Sequence, residues 1–120
     1  MDRDADVLVV GGGVAGLSAA IYTARAGLDT LVVDAGESIL ARNAHLENYP
    51  GFPAGVDARL LLEMIADQAD RAGSELLTGR VVSVERTGSE HDGDGEGFAV
   101  TVDRSPDADD ADLDTTDLVA

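Results

Sequence analysis

The sequence predicts an α/β domain in which helices cover a parallel β-sheet, and three observations carry that prediction. The apolar run Asp6-Val7-Leu8-Val9-Val10 is too short for a buried helix and meets Gly11-Gly12-Gly13-Val14-Ala15-Gly16 at once. A stretch of small residues then runs to Gly27 with the length and composition of a helix. A second β-branched run, Thr30-Leu31-Val32-Val33-Asp34, ends in an acid. Strand, glycines, helix and strand in that order form a βαβ unit, the building block of layered α/β domains.

The glycines have the GxGxxG spacing of a dinucleotide-binding, Rossmann-like turn. Gly11 is expected to open a tight turn where a Cβ would clash. Gly13 would let the backbone approach a pyrophosphate, and Gly16 would let the helix pack close to the strand. The helix is expected from about Val14 to Ala26. Its first amides have no intrahelical partner, and its dipole places roughly half a positive charge there, which suits a diphosphate. Asp34 lies 23 residues after Gly11, near the roughly 20-residue spacing of the acid that binds a ribose hydroxyl. That carboxylate would repel a 2′-phosphate, which disfavours NADP at this site.

Composition narrows the partners. At 120 residues and 44% hydrophobic, the chain can build one domain with a core but hardly two. No window approaches a membrane span, and the charged Met1-Asp2-Arg3-Asp4-Ala5-Asp6 start is unlike a secretion signal. A cytoplasmic location is therefore expected. Cysteine is absent, and His45 and His91 form no metal-ligand pattern. Twenty-four acids face eight bases, all arginine, for a net charge of −16. Such a surface disfavours nucleic acid and anionic membrane as partners. The composition resembles that of proteins from a very salty cytoplasm, as in halophilic archaea. At about 1 M salt the Debye length is about 3 Å, so the acids hardly repel one another.

Further along, Ala35 to Val56 reads as a long loop, a feature that is often functional. A second helix is predicted from Asp57, a plausible N-cap, to Ala72, with Gly73 just beyond its end. Leu61, Met64, Ile65, Gln68, Ala69 and Ala72 follow helical periodicity and are expected to cover a sheet as core residues. Strands are expected at Glu75 to Leu77, Arg80 to Glu85 and Phe98 to Val102. The acidic glycine loop between the last two lacks a full calcium-loop pattern, and Asp103 to Asp114 reads as a second acidic, mobile stretch. Thr116-Asp117-Leu118-Val119-Ala120 looks like the start of another buried parallel strand. The chain is therefore expected to be a single domain over residues 1–120, incomplete, as the first part of something longer.

The segment Leu46-Glu47-Asn48-Tyr49-Pro50-Gly51-Phe52-Pro53, together with the helix beginning near Ala58, resembles a signature of thioredoxin reductases. The order of glycine loop, ENYPGF segment, helix, short strand and small antiparallel set matches that family over nearly the whole chain. The resemblance implies a three-layer FAD-binding domain, a parallel sheet with a small antiparallel insertion, and FAD as the dinucleotide. It implies Gly11, Gly12, Gly13, Val14, Ala15 and Gly16 at the pyrophosphate and Asp34 at the adenosine ribose. Asn48 would face the flavin, and the backbone near Val81 and Val82 the adenine. Glu37-Ser38-Ile39-Leu40-Ala41 stands where the family carries a Gly-Gly-Gln-Leu-like segment, so flavin contacts there depart from the pattern. In the whole enzyme NAD(P)H would donate electrons, and thioredoxin or another small redox protein would accept them, in a homodimer as one arrangement. No catalytic acid or base and no metal site is expected within this chain. Three other readings stay open: a flavin reductase of this fold without a redox dithiol, a truncated non-catalytic dinucleotide-binding protein, and a plain NAD-binding module.

Overall fold

The computed structural model describes residues 3–36, 45–88 and 97–104, and the backbone of 115–119. The 37–41 stretch, His91 with the acidic loop 89–96, and the acidic run 105–114 lie outside these residues. The elements in chain order are β1 (Arg3–Asp4), β2 (Val7–Val10), α1 (Val14–Arg25), β3 (Thr30–Asp34) and α2 (Ala58–Ala72). They continue with β4 (Glu75–Thr78), β5 (Arg80–Thr87), β6 (Gly97–Asp103) and β7 (Thr115–Val119).

Strands β2, β3 and β4 form a parallel sheet in that order, with Val9 opposite Val32 and Val32 opposite Leu76. Both crossovers step across the sheet in the same direction. A right-handed connection therefore places α1 and α2 on the same face. Alternation along the strands divides two cores. Val9 and Val32 face the helices, where they meet Leu17, Ala20, Ile21, Leu61, Ile65 and Ala69. Leu8, Leu31, Val33 and Leu77 face the opposite way, toward Val81, Val100 and Val102 of a second sheet. That sheet has the order β1-β7-β6-β5, antiparallel except where β7 runs parallel to β1. Helices, parallel sheet and mixed sheet make the three layers.

The last strand departs from expectation. β7 does pair in parallel, with β1, but it is antiparallel to β6 and belongs to the mixed sheet. The chain start explains this. Residues 3–10 are two strands separated at Ala5-Asp6, and only the second of them enters the parallel sheet.

Helix ends follow their sequence signals. Asp57 caps α2, its Oδ1 accepting the Leu60 N–H at 2.9 Å. Gly73 takes a left-handed φ of 111°. Its N–H bonds Asp70 O at 3.0 Å while the Ser74 N–H bonds Ala69 O at 3.1 Å, the paired bonds of a Schellman motif. Helix α1 closes in the same way around Gly27 at φ 86°, with Gly27 N–H to Ala24 O and Leu28 N–H to Thr23 O. The fully buried Thr30 hydroxyl is satisfied by Thr23 Oγ1 at 2.8 Å and Leu28 O at 3.2 Å.

The buried face of α2 is narrower than its periodicity suggests. Ala58, Leu61, Ile65 and Ala69 are buried, whereas Met64 and Gln68 are exposed. The helix lies chiefly on α1 rather than flat on the sheet. A helix-on-helix contact uses a stripe at i, i+4 steps, and alanines at positions 20, 58 and 69 let the two axes come close.

The described part of the long loop, residues 45–56, is also less irregular than expected. Leu46 and Val56 form an isolated antiparallel bridge, each N–H reaching the other's carbonyl at 2.8 Å. The closed loop between them turns at Pro50-Gly51, where glycine takes a positive φ of 96°. Tyr49 and Phe52, with ring centroids 6.0 Å apart, pack with Leu46 against the helix-side core.

Candidate functional site

Strand β2 ends at Val10, and Gly11 turns the chain with φ 105° while its N–H holds Val33 O at 2.8 Å. Among the described residues, nothing beyond its own chain neighbours lies within 4 Å of where a Cβ would stand on Gly11. The expectation of a steric clash there is therefore corrected: glycine is needed for its backbone conformation. The crowded positions are the next ones. A Cβ on Gly16 would strike the Gly11 carbonyl oxygen and come within 3.1 Å of Val9 Cγ1. Gly16 thus sets the close approach of α1 to β2, as its place in the motif predicts.

Helix α1 begins with Gly13 at its N-cap, and no side chain caps it. The Leu17 N–H is bonded to Gly13 O at 3.0 Å, so the amides of Val14, Ala15 and Gly16 precede the first intrahelical bond. In a chain with 24 acids, the first turn of α1 holds none. That end of the helix carries positive potential with no anion of its own element to neutralise it.

Asp34, the last residue of β3, stands beside this turn. Its Oδ1 accepts the Gly36 N–H at 3.2 Å, and its backbone oxygen accepts the Gly79 N–H at 2.9 Å. Gly79 is the single residue between β4 and β5. A Cβ there would come within 2.6 Å of Val102 Cγ1, so only glycine passes between the sheets. The result is a crevice of about 250 Å³ beyond the carboxyl ends of β2 and β3, lined by Val10, Gly11, Val33, Asp34, Gly79 and Val81 among others. Ligands of open α/β sheets bind in such a place. A second, more apolar cleft of about 270 Å³ opens on the helix side, where Gly12, Leu17 and Asp34 face Leu62, Ala66 and Leu76. Asp34 borders both.

The structure therefore brings Gly11, Asp34 and Val81 to one crevice, with the free helix end of Gly13, Val14, Ala15 and Gly16 beside it. It does not bring Asn48 there: that residue is exposed in the closed loop and lines neither cavity. Val82 is also absent from the lining, and the register shift between Val81 and Ser83 leaves it as a 56% exposed bulge residue. Sequence reasoning missed the role of Gly79. A lone glycine between the apolar Leu76-Leu77 run and the β-branched Val81-Val82 run was the available signal. Among the described residues no group of acids or histidines could hold a metal ion, and no helix is long and apolar enough to cross a membrane.

The donor set fits a dinucleotide: unpaired amides for a diphosphate, a carboxylate for a ribose diol, and an adjoining crevice for a base. Comparison with known proteins agrees. Residues 6–45 match the family model described as an FAD binding domain. Over 86 residues the chain is 41% identical to a thioredoxin reductase of Aquifex aeolicus, covering 70% of this chain and 27% of that protein. The solved thioredoxin reductase of Gloeobacter violaceus superposes with a TM-score of 0.71 at 34% identity, covering 82% of this chain and 30% of the other. The crystal structure of HlmI superposes at 0.78 with 30% identity, covering 96% and 32%. The chain spans about 27% of the length of the curated relative, so the resemblance is to one part of those proteins. Sequence, fold and the glycine-rich turn together place the chain in the thioredoxin reductase-like family of FAD-dependent oxidoreductases, as an FAD-binding segment.

Proposed function

We propose that this chain holds the ADP half of FAD in a flavoprotein that moves electrons from NAD(P)H through the flavin to a disulfide, with thioredoxin or another small redox protein as acceptor. The observation that carries the reading is the uncapped, acid-free start of α1 set beside Asp34 at the ends of two parallel strands. The names of the similar proteins support the choice of reaction. In this reading the backbone amides of Gly13, Val14 and Ala15 bind the diphosphate, and Asp34 accepts hydrogen bonds from the ribose. The backbone at Val81 borders the adenine. Bound flavin would supply the hydride and electron chemistry; the residues of this chain bind and orient it and donate no proton. The −16 surface disfavours nucleic acid and anionic membrane as partners, since either would require a basic patch. Reconstitution of the protein with FAD in high-salt buffer tests the reading. Retained flavin absorbance after gel filtration is the expected result, and a colourless protein overturns it.

A further inference from the structure

Gly12 occupies the variable position of GxGxxG, where the dinucleotide turn itself demands no glycine. Yet a Cβ built on Gly12 would stand 2.7 Å from Asp34 Cγ, 2.8 Å from Asp34 Cβ and 2.8 Å from Oδ2. Real Cβ atoms do not approach so closely, and because the Asp34 Cβ is among the atoms struck, the clash reaches to the root of that side chain. The Asp34 carboxylate is thus folded over the bare backbone of Gly12 on one side and held by the Gly36 N–H at 3.2 Å on the other. It stands between the two cavities and borders each.

We propose that Gly12 is a positioning residue for Asp34: its missing side chain is the space that lets this short carboxylate sit where it meets the ribose hydroxyls of a bound adenine dinucleotide. The inference rests on the FAD-binding reading above and goes beyond it, because it assigns specificity for the sugar to a residue that need not touch the ligand. Gly12 has no left-handed φ, so alanine fits its backbone. The Gly12→Ala change therefore acts through the side-chain contact and not through a strained turn. Once displaced, the carboxylate would lose the Gly36 N–H and its aim at the sugar together, leaving the amides of α1 free to hold the diphosphate.

The experiment compares ADP with 2′-deoxy-ADP by calorimetric titration of the full chain, in high-salt buffer, for wild type, G12A, D34N and the double variant. The wild-type protein is expected to prefer ADP by about tenfold, the size of one charge-assisted hydrogen bond. In G12A that preference should fall to near unity while affinity for 2′-deoxy-ADP stays within about twofold. D34N should lose the preference, and adding G12A to it should change nothing more. An undiminished preference in G12A overturns the proposal, as does an equal loss of affinity for both ligands, which would make Gly12 a diphosphate contact in its own right. A wild-type protein that binds neither nucleotide overturns the FAD reading and this inference with it, and so differs from those two results.

Discussion

The backbone of Gly16 lies directly against the carbonyl oxygen of Gly11, closer than any side chain could permit. The same virtual Cβ would press on Val9 Cγ1 at 3.1 Å, so β2, the turn and α1 share one contact. Replacing Gly16 with alanine must part helix and strand or bend the turn. Overpacking of this kind costs roughly 1–3 kcal/mol, and a lowered midpoint in thermal unfolding, followed by circular dichroism, is the expected outcome.

The start of α2 offers a milder test. Asp57 Oδ1 satisfies the Leu60 N–H at 2.9 Å, and no acid lies in the first turn to substitute for it. Asp57→Ala should destabilise the domain by about 1 kcal/mol, and Asp57→Asn by much less, because both Asp and Asn serve as N-caps. Urea unfolding of the pair separates the cap from a general effect of charge.

Two neighbours on α2 should behave differently despite adjacent numbers. Ile65 is 7% exposed within the core between the helices and Val32, whereas Met64 is 43% exposed. Ile65→Ala is expected to cost roughly 2–5 kcal/mol through lost burial and a cavity. Met64→Ala should stay within about 0.5 kcal/mol, as surface changes do. Equal losses in denaturant titrations would contradict the observed packing.

The charge gives a prediction of unusual sign. FAD brings a diphosphate to a chain of net charge −16 without a single lysine. Raising KCl from about 0.1 M to about 1 M shortens the Debye length from about 10 Å to about 3 Å and screens that repulsion. Flavin fluorescence titrations should show tighter binding at the higher salt, opposite to the trend of a basic site.

The β2–α1–β3 unit was legible because three local signals agreed: apolar runs of strand length, glycines at fixed spacing, and an acid at the second strand's end. The caps Asp57 and Gly73 were legible for a similar reason, since each acts through its own backbone or nearest turn. Met64 and Gln68 were misread because helical periodicity gives a face but not its width. Width depends on whether the partner is a sheet or another helix. Gly11 was identified for the wrong reason, its φ of 105° being invisible in sequence, where a clash and a left-handed turn both call for glycine. The outward side chain of Val82 was not legible, because the bulge that exposes it depends on how Val81 and Ser83 pair with Val102 and Thr101 of β6. Asn48 sits in a segment whose aromatics pack on the helices, so the ENYPGF signal is in part a signal of packing.

The passage from β4 to β5 through Gly79 alone has a consequence for how a cofactor comes and goes. With Thr78 still paired to one sheet and Arg80 already paired to the other, this flank of the crevice has no slack to swing aside. It behaves as masonry rather than as a door. A dinucleotide seated in the crevice would meet a fixed wall on this side, and any fitting of the crevice to it would fall to the other walls.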